Sequence, residues 1–264
     1  MNATTKLAVL AGLLASTTAL GGVSIGDILS LDDTRTGNEG EAGDNRYLTS
    51  NSMNSATNIL LNAGFGIGTT NSFEGVSNDN WSTLYTGTVN VDFSAQEISD
   101  IQSFVSAGGG LVIQRDWGNF YPASDSLLSA FGVSVATAPI GVGGEPSNVS
   151  MSAAHPIWDG PGGSASSFLQ QFSSTITGGA DIIGTHDASG GGAIGVLEWG
   201  LGRVVVLTDM DAWDDFGDNI SMDPGTNNAI VWENIFHYAN NTIPTPGSMM
   251  LLALGGMTAA RRRR

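Results

Sequence analysis

The pattern that most restricts the fold of this chain is the alternation of short apolar runs with segments of helical periodicity. The clearest unit begins at Ser94, which stands three residues before Glu97 in the arrangement of a helix-starting capping box. Glycines at 108–110 are predicted to end this helix, and residues 111–114 follow as a short buried strand. Strands that are apolar on both faces are typical of a sheet covered by helices on both sides. The pattern therefore predicts an α/β domain with a mostly parallel sheet.

The rest of the domain repeats this alternation on both sides of that unit. The closing helix is predicted to be capped by Asn227. Residues 139–179 show no clear periodicity and are predicted to hold an inserted excursion or loops. The other predicted elements are a strand at 23–31, a helix at 48–63, short strand-like stretches within 65–69 and 81–91, a helix at 124–131, a strand at 133–136, and two strands at 193–199 and 202–208 joined by a glycine turn.

Charge is distributed very unevenly along the 264 residues. All 25 acidic residues lie between Asp27 and Glu233, where only four arginines and no lysine occur. Because no basic patch is present to hold a phosphate backbone, nucleic acid is excluded as a partner. The absence of cysteine excludes a disulfide scaffold, thiol catalysis and a zinc–thiolate site. Such a domain has either a solvated acidic surface or defined sites that attract cations.

The N-terminal residues 1–22 have the three parts of a secretory signal peptide. Lys6 supplies the positive region, residues 7–15 the apolar region, and residues 16–22 the stretch of small residues. The apolar part is shorter than the roughly 20 residues that a spanning helix needs. The sequence therefore predicts export of the domain formed by residues 23–241.

Residues 242–264 combine a proline motif, a short apolar segment and a cluster of arginines. The prolines are Pro244 and Pro246, and the arginines are Arg261, Arg262, Arg263 and Arg264. This order resembles the PEP-CTERM sorting signal of exopolysaccharide-producing bacteria, with Thr245 in place of the usual glutamate. The resemblance implies a precursor held in the inner membrane by a short apolar helix, processing by an exosortase-type sorting enzyme, and delivery to the cell surface or extracellular matrix. A plain C-terminal membrane anchor is the alternative.

A second resemblance covers residues 23–240. The segments that carry it are residues 104–113, 127–132, 155–158 and 200–209, and the closing helix with Asn228 and Asn234. They are similar to the class I glutamine amidotransferase-like superfamily, and most of all to its non-catalytic extracellular branches. The resemblance implies a three-layer flavodoxin-like sandwich. Catalytic members carry a cysteine just after a central strand, where this chain has Arg115 and Asp116, so the resemblance argues against amidotransferase activity.

Five aspartates follow predicted strands and are candidate metal ligands. In α/β sheets, ligands gather beyond the carboxyl ends of the strands, and hard cations such as Ca²⁺ or Mg²⁺ prefer carboxylate oxygens. No motif in the chain requires a cofactor. Two interpretations remain: a bound divalent cation such as Ca²⁺, or acidic loops that cap helices. The five residues are Asp32, Asp33, Asp116, Asp209 and Asp211.

Aromatic residues in loops after two of these strands are candidates for stacking on sugar rings. Trp117 and Tyr121 follow one strand, and Trp213 follows another. The competing interpretation is that these large side chains close the top of the core.

Taken together, these features favour a non-enzymatic, exported binding or structural module associated with exopolysaccharide, its acidic face bridged by divalent cations. The alternative is a carboxylate- or metal-assisted hydrolase of matrix polysaccharide that uses Asp116, Asp209 or Asp211 as acid, base or ligand.

Overall fold

The computed structural model describes residues 26–36, 46–116, 122–140, 146–215 and 220–240. The predicted signal peptide (1–22) and sorting tail (242–264) lie outside these residues. The helices are α1 (Asn54–Asn62), α2 (Ala95–Ser106), α3 (Ser124–Ala130) and α4 (Asn227–Ala239). The strands are β1 (Ile28–Leu31), β2 (Ile67–Thr70), β3 (Thr83–Tyr85), β4 (Gly110–Gln114), β5 (Ser134–Ile140), β6 (Ser147–Met151), β7 (Asp159–Gly160), β8 (Gly163–Ser164), β9 (Ser167–Gln170), β10 (Ser173–Gly178), β11 (Asp181–His186), β12 (Gly192–Trp199) and β13 (Gly202–Leu207).

The centre of the main sheet is parallel. Five neighbouring strands, in the order β2-β1-β3-β4-β13, all run in the same direction. This arrangement confirms the predicted α/β class with a mostly parallel central sheet. Beyond β13 the sheet continues through antiparallel β12, β11, β6 and β9, while β10 pairs with both β12 and β5.

Helices cover both faces of the parallel strands. Successive side chains of a strand point to opposite faces, so the apolar side chains of each strand are shared between two cores. In β4, Val112 belongs to the core under α1 and α4, whereas Leu111 and Ile113 belong to the core under α2 and α3. β13 repeats this alternation. In the described residues, no helix is long and apolar enough to cross a membrane.

The stretch 139–179, predicted as an excursion or loops, instead contains the strands β6 to β10. Sequence periodicity missed them because they are short and rich in serine, threonine and glycine. In β6 only Val149 is buried, and it pairs across the ladder with Phe168 of β9. One apolar position per strand is too few to produce a visible pattern.

The predicted cap of α4 is wrong by one residue. Thr226 precedes the helix, and its hydroxyl accepts a hydrogen bond from the backbone N–H of Ala229 at 3.3 Å. Asn227 is the first residue of the helix instead. The predicted cap of α2 is confirmed, because the Ser94 hydroxyl accepts the backbone N–H of Glu97 at 3.0 Å.

Candidate functional site

The parallel pairing of β4 and β13 brings Asp116 and Asp209 side by side. Gln114 and Leu207 are paired residues at the ends of these strands, and each aspartate lies two residues further on. Asp211 also approaches Asp209, whose carboxylate accepts the Asp211 backbone N–H at 2.9 Å. The structure therefore brings these three candidate residues together at one edge of the sheet.

A buried guanidinium occupies the centre of this group. Arg46 Nη1 lies 3.4 Å from Asp116 Oδ2, Nη2 lies 3.1 Å from Asp211 Oδ1, and Nε lies 3.2 Å from Asp214 Oδ2. The Arg46 side chain is 4% exposed. We call Asp116, Asp209, Asp211 and Asp214 the carboxylate cluster. Arg46 gives it the positive charge that the sequence-based interpretation assigned to a metal ion.

Asp209 is the most perturbed member of the carboxylate cluster. Its side chain accepts the backbone N–H groups of Gln171 at 2.7 Å and Asp211 at 2.9 Å. Burial raises the pKa of Asp209 well above its usual value, and the nearby charges of Asp211 and Asp116 raise it further. Asp209 is consequently expected to bind a proton more readily than an ordinary exposed aspartate.

The turn after β4 is fixed by its own side chains. Arg115 is fully buried, with its Nε 2.8 Å from Asp125 Oδ1 and its Nη1 donating to the Asp116 carbonyl at 2.6 Å. The Ser174 hydroxyl also donates to the Asp116 carbonyl. These contacts hold Asp116 in place against β10.

His186, at the end of β11, lies close to Ser173 but does not activate it. His186 Nε2 is 3.1 Å from the carbonyl oxygen of Ser174, which can only accept, so this nitrogen carries the proton. Nδ1 then accepts from the Gln170 amide. Burial lowers the pKa of His186 and keeps the ring neutral. A protonated Nε2 cannot remove the proton from the Ser173 hydroxyl 3.3 Å away.

Asp32 and Asp33, the other two candidate ligands, do not join the carboxylate cluster. They follow β1, which β3 separates from β4. Asp32 caps its own turn by accepting the backbone N–H and the hydroxyl of Thr34, at 3.0 and 2.6 Å. Asp33 is exposed. In the described ranges, no group of three or more acidic or histidine side chains has the arrangement of a metal site, and Ca²⁺ binding stays a prediction.

The sugar-stacking role predicted for Trp213 is wrong. This side chain is 1% exposed and stacks between Phe168 and Trp232, with ring centroids 4.9 and 5.2 Å away. Neighbouring rings therefore pack against Trp213 within the core, and no surface remains for a sugar. Trp117 and Tyr121 lie outside the described residues.

All four arginines of the domain are buried, a feature that sequence analysis missed. Arg35 pairs with Glu97 at 2.9 Å, and Arg203 donates to the Tyr238 carbonyl at 2.8 Å. Arg46 and Arg115 make the contacts given above. The use of arginine and never lysine in this domain could have indicated these contacts. The planar guanidinium of arginine can bond several oxygens at once, which suits it to buried positions.

The solvent-exposed charge of the described residues is consequently all acidic. Asp33, Asp79 and Asp187 are examples of exposed carboxylates. Burial and the charge of Arg203 lower the pKa of His155 to about 4, and burial also lowers the pKa of His237. These histidines are therefore neutral near pH 7.

The fold has well-matched counterparts among solved structures, whereas no protein-family model and no curated protein matches this sequence. The N-terminal domain of mmIFT52 has a TM-score of 0.61 at 14% identity, covering 81% of this chain and 97% of that one. A cytoplasmic protein from Salmonella typhimurium LT2 gives 0.59 at 11% identity, covering 81% and 99%. A ThuA-like protein from Bacteroides uniformis gives 0.52 at 12% identity, covering 83% and 93%. At such identities the likeness shows the fold alone.

Proposed function

We propose that this protein is a non-enzymatic, exported module of the cell surface or extracellular matrix that associates with exopolysaccharide. Its domain is a three-layer flavodoxin-like sandwich of the amidotransferase-like kind. The observation that carries the non-enzymatic part of the proposal is the pairing of Arg46 with Asp116, Asp211 and Asp214. Carboxylates that share a buried guanidinium hold loops together and are poorly placed to attack or bind a substrate.

The acidic surface supports association with a matrix through cations. Exposed carboxylates without neighbouring basic side chains repel anionic polymers, and divalent cations reverse that repulsion by bridging two carboxylates. The predicted signal peptide and sorting tail would deliver the protein to the compartment where such polymers lie. The inner membrane and an exosortase-type enzyme are then partners only during transit.

Washing cells or isolated matrix with a chelator tests cation bridging. We expect EGTA to release the protein, and NaCl of equal ionic strength to leave it bound. Retention of the protein in EGTA would contradict the bridge, and release by both washes would indicate simple charge screening. Unfolding in millimolar Ca²⁺ and in EGTA then shows whether a defined site exists, since only specific binding stabilises beyond the NaCl control.

The sorting tail is tested by the mass of the protein recovered from the cell surface. We expect a C-terminus upstream of Arg261, because an exosortase would remove the arginine cluster. An intact cluster, Arg261 to Arg264, in the surface fraction would favour the plain anchor.

One observation favours the alternative hydrolase. Asp209, whose pKa is raised, lies beside Asp116 and Asp211, and a carboxyl group of raised pKa is suited to act as a general acid. Its test is a screen of mixed polysaccharides with wild type and Asp209→Asn. An activity that disappears in the variant would favour the hydrolase, whereas inactivity of wild type leaves the binding role ahead.

A further inference from the structure

A cleft of about 480 Å³ opens at the amino ends of β1, β3 and β4. We call it the amino-end cleft. Asp27 precedes β1, Trp81 precedes β3, and Gly109 precedes β4, so three neighbouring parallel strands build its floor. It lies at the opposite end of the sheet from the carboxylate cluster.

Trp81 gives the amino-end cleft a positioned aromatic ring. A Cβ atom added at Gly68 would come within 2.4 Å of Trp81 Cη2, so the ring lies directly over this glycine. Trp81 is only half-buried. Gly108 and Gly109 also line the amino-end cleft. The ring is thus fixed on one side and borders an open space on the other.

The polar groups of the amino-end cleft are carboxylates and amides. Asp27 and Asp79 are exposed, and among the described residues no basic side chain lies within ion-pair distance of either. Asn78 is held in place by a 3.1 Å hydrogen bond from its amide to the Phe104 carbonyl. Asn240 Nδ2 is buried and has no hydrogen-bond partner within the described structure. The side chain of Asn240 lines the cleft, but this nitrogen is itself shielded from the open space.

This combination selects a cationic ligand with hydroxyl groups. An ammonium group is attracted both by carboxylates and by the face of a tryptophan ring. The amide of Asn80 and the amide oxygens of Asn78 and Asn240 are suited to hydroxyl groups, which both donate and accept. Anionic sugars are disfavoured, since the cleft has no basic side chain in the part of the chain that the structure describes.

We propose that the amino-end cleft binds an amino-sugar unit that carries a free ammonium group. This inference rests on the proposed association with exopolysaccharide and names the kind of sugar that the domain contacts directly. The ammonium lies between Asp27, Asp79 and the Trp81 ring, and the sugar hydroxyls face the amides.

Calorimetric titration of the full-length protein with a fully deacetylated glucosamine hexamer in 0.15 M NaCl tests the proposal. We expect binding that is at least tenfold weaker for the N-acetylated hexamer, which lacks the positive charge. No binding of the glucosamine hexamer, or equal binding of both hexamers, would overturn the proposal.

Three variants separate the cleft from diffuse attraction to the acidic surface. Asp79→Asn removes one exposed charge without changing packing, and Trp81→Ala removes the ring. We expect each to weaken binding at least tenfold. Asp187→Asn removes another exposed charge, beyond the end of β11, and is expected to change affinity less than twofold. Equal losses in all three variants would mean diffuse attraction and would overturn the proposal. Trp81→Phe keeps an aromatic ring and disturbs the packing less than Trp81→Ala does. We expect it to bind the glucosamine hexamer more tightly than Trp81→Ala.

Co-sedimentation with isolated matrix distinguishes this inference from the function on which it rests. If wild type sediments with the matrix but does not bind the glucosamine hexamer, the proposed ligand of the cleft is wrong and the proposed function is retained. Wild type that binds the hexamer but not the matrix would contradict the function and leave the cleft standing. We expect both interactions, and both weakened by Asp79→Asn.

Discussion

The acidic residues at the two ends of the parallel sheet differ in burial and in pairing. At the carboxyl end, Asp116, Asp211 and Asp214 are paired with buried Arg46. At the amino end, Asp27 and Asp79 border an open cleft and face solvent. Ligands of α/β proteins usually bind at the carboxyl end. In this protein, the carboxylates at that end are used to hold the structure together, and those at the other end remain available.

The largest loss of stability is expected for Arg46→Met, which removes the positive charge from the carboxyl end of the sheet. Removing the guanidinium leaves buried carboxylates without a counter-charge, which typically costs about 3–5 kcal/mol. Urea unfolding should show a loss of free energy of unfolding of that size. Arg46→Lys, which keeps the charge but not the planar fork, should lose less. A loss below about 1 kcal/mol for Arg46→Met would show that water, not Arg46, stabilises the cluster.

The amino end should gain stability from its ligand. At a free glucosamine hexamer concentration of 100 times its dissociation constant, the free energy of unfolding should rise by about 2.7 kcal/mol. The matched measurement uses Asp79→Asn at the same hexamer concentration, where a smaller rise is expected. An equal rise in the free energy of unfolding of both proteins would mean that Asp79 does not contact the ligand.

A smaller effect, visible mainly in its pH dependence, is expected for Asp209→Asn. Because the folded-state pKa of Asp209 is raised, its contribution to stability is complete below the unfolded-state pKa and is lost as pH rises through the folded-state value. The asparagine variant does not ionise, so its stability relative to wild type should increase with pH above the ordinary carboxyl range.

The asparagine side chain has one acceptor oxygen for the two backbone N–H groups that Asp209 binds, so an offset of about 1 kcal/mol is expected at low pH. Urea unfolding of both proteins across pH 4–8 checks both parts. Parallel stability curves would mean that Asp209 is ionised in the folded protein throughout this range.

The smallest effect on stability is expected for Asp79→Asn in the absence of ligand. An exposed carboxylate at the edge of a cleft contributes within about 0.5 kcal/mol. Urea unfolding of this variant should therefore match wild type, in sharp contrast with Arg46→Met. A loss of more than about 1 kcal/mol in the free energy of unfolding would mean that Asp79 also stabilises the fold. The carboxylates at the two ends of the sheet would then not differ in role.

The elements that sequence analysis predicted well are those with a strong local signal. Ser94 and Glu97 begin α2 as predicted, and the apolar runs became β4 and β13. The meeting of Asp116 and Asp209 followed from the parallel register of those two strands. The strands β6 to β10 had no such signal, because each buries few apolar residues between serines and glycines.

The functional sites were harder to predict because their parts are distant in the chain. Arg46 reaches Asp116 from 70 positions away, and no local pattern indicates that meeting. Glu97 similarly lies in the capping-box position, yet its carboxylate pairs with Arg35 and accepts the Phe73 backbone N–H at 2.9 Å. The amino-end cleft was not foreseen, since it joins residues from three strand starts and from the end of α4.

The sequence by itself determined the α/β class, the central strands and the strand ends at which Asp116 and Asp209 lie. Those features depend on the period of apolar side chains and on short-range caps, which are properties of neighbouring residues. Only the tertiary structure decided that Arg46 would neutralise the carboxylate cluster, that Trp213 would lie in the core, and that the amino-end cleft would stay open. These outcomes depend on burial and on contacts between distant segments, because the energy of a charge or an aromatic ring depends on what surrounds it.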